Sequence, residues 1–139
     1  MNSPIKRKTQ RGTTLVETLV ALVVLSVGLL GIAALQMTSL RNNRGAHFRS
    51  QAQVMAYDIT DRMRANRVAA ELNAYVIAMG ATPSATGLAL TDLQDWKETL
   101  RVTLPGGDGS IVEDGDMFVI TIRWTDTLGT QSFDTRTRI

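Results

Sequence analysis

The chain has 139 residues, 44 % of them hydrophobic, one histidine, no cysteine and a formal net charge of +2. That length leaves room for one modest domain beside any membrane segment, and without disulfides an exported domain of this size must be held by packing or by its neighbours. Residues 1–12 hold four of the fifteen Lys and Arg and none of the thirteen Asp and Glu, so the remainder carries eleven bases against thirteen acids. The high pI therefore belongs to the leader and argues against a nucleic-acid partner for the rest.

The leader is polar and basic, with Lys6, Arg7, Lys8 and Arg11 and no acid before Glu17. From Thr18 to Leu40 runs a stretch of 23 residues without a formal charge, mostly Leu, Val and Ala. A helix of that length spans roughly 35 Å, enough for a hydrocarbon core of about 30 Å. Positive charge before the run keeps the amino end in the cytoplasm and exports the carboxyl-terminal part of the chain. A cleavable secretory signal, with Ala33-Ala34 as its small-residue site, is the competing reading; the apolar run is long for it.

No proline interrupts residues 13–71, and their only glycines are Gly28, Gly31 and Gly45. The pattern predicts one long helix, hydrophobic over 13–40 and amphipathic over 41–71. Its second half carries Phe48, Ala52, Met55, Ile59 and Met63 at three- and four-residue steps, a stripe suited to lying on a small domain. Residues 72–90 form a poorly patterned connector. Thr91 and Gln94 then match a capping box that starts a helix through Leu93, Trp96 and Leu100, ended by Pro105-Gly106-Gly107. In MFVITIRWT, residues 117–125, Phe118, Ile120, Ile122 and Trp124 alternate with Val119, Thr121, Arg123 and Thr125, which predicts a half-buried strand. A turn over 126–130 allows residues 132–139 to return as its hairpin partner, and 111–113 offers a third short strand. The 72–139 segment is thus a small α+β domain.

No catalytic constellation is present, so the chain is not expected to be an enzyme, and no cofactor is implied. His47 has no second ligand beside it and is expected to be solvated or packed. The GGDG of residues 106–109 is a turn rather than a phosphate cradle. Asp108, Glu113, Asp114 and Asp116 hint at calcium but match no EF-hand spacing, and no metal site is assigned. Arg62, Arg64 and Arg67, with the earlier Arg41, Arg44 and Arg49, raise a DNA-uptake or surface-binding reading, but Asp58, Asp61 and Glu71 interleave with the last three in chain order.

Glu17 is the one acid at the edge of the apolar run. Gly12-Thr13-Thr14-Leu15-Val16-Glu17, after a basic leader and before an apolar helix, resembles the class III signal of type IV prepilins. The resemblance implies a pilin-like α+β fold, a long N-terminal helix packed on a small antiparallel sheet. It implies cleavage between Gly12 and Thr13 by a prepilin peptidase and methylation of the new Thr13 amine. It also implies that Glu17 acts between subunits, pairing with a neighbour's terminal amine, with Gly28 and Gly31 allowing close helix approach or local loosening. Most of the family begins the mature chain with Phe where this one has Thr13, and many members carry cysteines.

Ala56-Tyr57-Asp58, Asp61-Arg62-Met63-Arg64-Ala65-Asn66-Arg67 and Leu104-Pro105-Gly106-Gly107 narrow the likeness to the PilV-type minor pilins, or type IV pilus modification proteins. That implies a place in a complex that initiates pilus assembly at the tip, supporting twitching motility and adhesion. The implied partners are other minor pilins, the major pilin, the peptidase and the inner-membrane assembly machinery. The implied route runs from a single pass in the inner membrane, carboxyl-terminal domain in the periplasm, to the pilus surface. A minor pseudopilin of type II secretion shares the same leader and helix.

Overall fold

The computed structural model describes residues 14–139. In chain order they form helix α1 (Leu15–Ala65), helix α2 (Arg67–Glu71), helix α3 (Gly87–Thr103) and strands β1 (Asp108–Asp114), β2 (Met117–Asp126) and β3 (Gly129–Thr137). The chain divides into two compact units between Leu40 and Arg41. This is the α+β, pilin-like architecture expected: a long N-terminal helix followed by a small antiparallel sheet.

In the first unit every described residue, Thr14 to Leu40, is exposed. Leu15, Val24, Leu30 and Leu35 are among the large apolar side chains left uncovered. Such a surface is stable in lipid or against other apolar helices, not in water.

The second unit has its own core. The α1 stripe is buried at Ala52, Met55, Ile59 and Met63, with Ala56 and Thr60 beside it, and Phe48 packs on the cluster. From α3 come Ala89, Leu93, Trp96 and Leu100, on one face at helical spacing. The sheet runs β1-β2-β3, antiparallel throughout, with Ile111 opposite Ile120 and Ile122 opposite Phe133. Phe118, Ile120, Ile122 and Trp124 are all buried, as the alternation requires. The Trp96 indole N–H donates to the Met55 carbonyl at 3.1 Å, so α3 is fixed to α1 by a directed bond as well as by packing.

Two close approaches explain Gly107, in the α3–β1 turn, and Gly109, near the start of β1. A Cβ on Gly109 would enter the Trp96 ring, and one on Gly107 would strike the Leu100 carbonyl. Gly107 and Gly109 are there for packing, Gly106 takes a positive φ of 62°, and the Thr125 N–H ties the turn to β2 by donating to the Pro105 carbonyl at 2.8 Å.

Three boundaries differ from the sequence reading. The long helix does not continue unbroken to residue 71: α1 ends at Ala65 and Asn66 leaves helical geometry at φ −113°, ψ 48°. The Asn66 side chain donates to the Tyr75 hydroxyl at 3.1 Å, a tertiary bond that a continuing helix would have to forgo. Helix α3 starts at Gly87, one turn before the expected Thr91, with Thr86 as its cap residue and no side-chain capping bond. And the connector is not featureless. Tyr75 and Ile77 are buried in the core, and Ile77 exchanges both backbone hydrogen bonds with Ile111 at 2.9 Å, extending the sheet by one residue.

Candidate functional site

The residues singled out by sequence are strung along α1 instead of converging on a pocket. Gly12 and Thr13 lie outside the described residues. Thr14 is the residue before the helix, and its hydroxyl accepts the Glu17 N–H at 3.3 Å, while its carbonyl accepts the Thr18 N–H at 3.1 Å. Thr14-Leu15-Val16-Glu17 thus has capping-box spacing, a signal legible in the sequence alone. Glu17 sits in the first turn of α1, exposed. The helix dipole favours an anion there by about 0.3–1 kcal/mol, which lightens the cost of keeping it.

Gly28 and Gly31 are one turn apart and so share a helix face. An added Cβ at either meets nothing within 4 Å. Among the described residues no contact requires them to be glycine.

The polar side chains of the apolar stretch are satisfied locally. Ser26 donates to the Leu22 carbonyl at 2.7 Å and Thr38 to the Ala34 carbonyl at 3.1 Å. Back-bonding of this kind lets a hydroxyl sit in hydrocarbon without an orphan donor. Among the described residues α1 alone is long and apolar enough to cross a membrane, and none of its apolar window is buried.

The Asp-Arg-Met-Arg-Ala-Asn-Arg stretch does something different: it ends α1 in a polar network. Arg62 donates to Asp58 at 2.9 Å and to Asp92 of α3 at 3.2 Å. The other Asp92 oxygen accepts the Tyr75 hydroxyl at 2.5 Å, and Tyr75 accepts from Asn66. Burial, then the Asp92 bond, pushes the Tyr75 phenol up to about 12. Burial alone would lower Arg62, but Asp58 and Asp92 outweigh it and hold its guanidinium above its usual value. Arg64 pairs with Asp61 and Thr137, and Arg67 with Glu71. Arg62, Arg64 and Arg67, three of the arginines that prompted a DNA-binding reading, are therefore engaged within the chain. Neither Asp92 nor Tyr75 was marked by the sequence, since their partners are 30 and 17 positions away.

The acids of the calcium hint also have separate partners. Asp108 pairs with Lys97 at 2.5 Å, Glu113 accepts from Asn73 at 2.8 Å, Asp114 faces Arg136 at 3.5 Å and Asp116 pairs with Arg138. Among the described residues no group of three or more such side chains could hold a metal ion. His47 is exposed on α1, edge-on to Phe48 with ring centroids 6.1 Å apart.

A capped apolar helix that buries none of its described residues before Arg41, followed by a small folded domain, suggests a membrane-anchored protein. Residues 7–33 match the family model described as the prokaryotic N-terminal methylation motif. That match supports a type IV prepilin- or pseudopilin-like protein, processed by a prepilin peptidase and assembling with other pilins. Neither a curated protein nor a solved structure matches the chain.

Proposed function

We propose that the chain is a minor pilin of the type IV pilus, acting in the complex that initiates assembly and supporting pilus biogenesis, twitching motility and adhesion. One observation carries this reading: the methylation motif over residues 7–33 coincides with an α1 surface that the chain itself leaves entirely exposed. A helix with that surface is made to pass from lipid into a bundle of like helices.

In this mechanism the peptidase cuts after Gly12 and leaves a free amine on Thr13, which is then methylated. The domain after Leu40 stands in the periplasm. Glu17 of an incoming subunit pairs with the terminal amine of a neighbour, and because an unpaired acid among apolar helices is costly, the bundle is favoured where the two charges meet. Gly28 and Gly31 let helices approach closely. The Arg62–Asp92–Tyr75 network keeps the periplasmic domain fixed to the helix that carries it.

Mass spectrometry of the amino terminus from membranes or sheared pili tests the processing step. A chain beginning at Thr13, with or without a methyl group, is expected; a chain beginning at Met1 in cells with active peptidase overturns the reading. Deleting the gene separates pilin from pseudopilin: loss of surface pili is expected, whereas intact pili with lost exoprotein secretion assigns it to type II secretion.

A further inference from the structure

Arg41, Arg44 and Arg49 belong neither to the assembly signals at the start of α1 nor to the network at its end. They lie on α1 immediately after the uncharged run, and no acid occurs between Thr18 and Tyr57. Among the described residues none of the three makes an ion pair. On the proposed topology they stand on the exported flank of the span, where the usual bias toward Lys and Arg does not operate. A cluster of unpaired cations there calls for a reason.

The surroundings supply one. Two cavities flank α1 at Gly45. One, of about 270 Å³, is lined by Arg41, Arg44, Phe48 and Asp126; the other, of about 230 Å³, by Arg41, Arg49, Trp124 and Leu128. Asp126 is the one carboxylate on either wall, and one of its oxygens already accepts the Leu128 N–H at 2.7 Å. Three cations against one acid leave the site electropositive. Trp124 is 2 % exposed, and its indole nitrogen is the one buried side-chain polar atom without a partner among the described residues. Leu128, at the tip of the β2–β3 turn, is 73 % exposed.

We propose that this site binds the phosphate of an anionic membrane lipid, and so seats the exported domain on the outer face of the bilayer before assembly. The arginines supply charge-assisted donors, and the Leu128 tip supplies an apolar contact beside the headgroup; Trp124 lines the same cavity and so reports on its occupancy. The proposal rests on the membrane-spanning reading of α1, and the test keeps the two apart.

The full chain is prepared in maltoside micelles doped with phosphatidylglycerol or with phosphatidylcholine, and the Trp124 indole N–H resonance is followed, identified by its loss in Trp124→Phe. A saturable shift is expected with phosphatidylglycerol only. The half-saturating lipid fraction is expected to rise about fivefold for each arginine replaced in Arg41→Gln and Arg49→Gln. Equal response to the two lipids, or an unchanged titration in the double variant, overturns the proposal. So does an equal shift with inorganic phosphate alone, which assigns the site to a free anion, or a shift only on adding an acidic partner subunit. Flotation with phosphatidylcholine vesicles reads the span by itself: a chain that floats but shows no phosphatidylglycerol response refutes the lipid site and leaves the anchor standing.

Discussion

The two halves of α1 obey different rules although they are one helix. Before Leu40 no described side chain is buried; after Arg41 the stripe from Ala52 to Met63 is almost wholly buried. In the second region each residue answers to contacts inside the chain, so substitution is read as stability. In the first region the described residues have no buried contact to lose, so substitution is read only in membrane or in assembly. Any experiment that moves both readouts together breaks this division.

The largest separation should come from the centre of the domain. Trp96→Ala removes a buried ring and its bond to the Met55 carbonyl, and is expected to cost about 3–5 kcal/mol. Against a total of roughly 5–15 kcal/mol, that leaves a domain close to unfolding. Denaturation of the full chain in detergent micelles, followed by near-ultraviolet circular dichroism, measures it. Leu25→Ala, a comparable truncation in the exposed half, should leave that transition where it was.

Next comes the network that closes α1. Asp92→Ala leaves Arg62 and Tyr75 without their shared acceptor and should cost about 2–3 kcal/mol at neutral pH. The Tyr75 phenol adds a pH signature. Its folded pKa is raised from 10 to about 12, so the stabilisation is complete below pH 10 and is lost as pH climbs toward 12. Tyr75→Phe should flatten that alkaline loss. An unchanged slope between pH 10 and 12 would show that the phenol does not report on folding.

A smaller effect is expected on the acid side. Burial alone would raise Asp108, but Lys97 and the N–H groups of Gly80 and Gly109 outweigh it and hold its carboxyl below the usual range. The contribution is therefore present above the unfolded value near 3.8 and disappears as pH falls through the lower, folded value. Asp108→Asn should be less stable than the parent at pH 7, and the gap should narrow on acidification. A gap that persists to low pH would place the loss in packing instead of charge.

Legibility in the sequence divides along the same line. The apolar run, the α1 stripe and the β2 alternation are local periodicities, and each became the element it predicted. The break at Asn66 and the burial of Tyr75 and Ile77 depend on partners far along the chain, and no window of residues holds that information. The start of α3 at Gly87 escaped for another reason: a good capping pattern at Thr91 was available and the fold did not use it. For the candidate site the limits are reversed. Glu17, Gly28 and Gly31 could be picked out by sequence, yet among the described residues of a single chain they touch nothing that explains them.

The smallest expected effect is for that reason the most discriminating. Gly31→Ala adds a methyl group into open space and raises helix propensity by up to about 1 kcal/mol. In the isolated chain it should be neutral or slightly stabilising, and the domain transition should not move. If Gly31 exists for close approach between helices, the same methyl group should lower incorporation into sheared pili, with Gly28→Ala acting alike because it shares the face. Glu17→Ala provides the companion: it should insert and be cleaved, yet assemble poorly. Should Gly31→Ala and Gly28→Ala assemble as well as the parent while Glu17→Ala fails, register between subunits is set by charge alone. The glycines would then be only small residues of a membrane helix. Failure of all three with an undisturbed domain would place both charge and close packing in the contact between subunits.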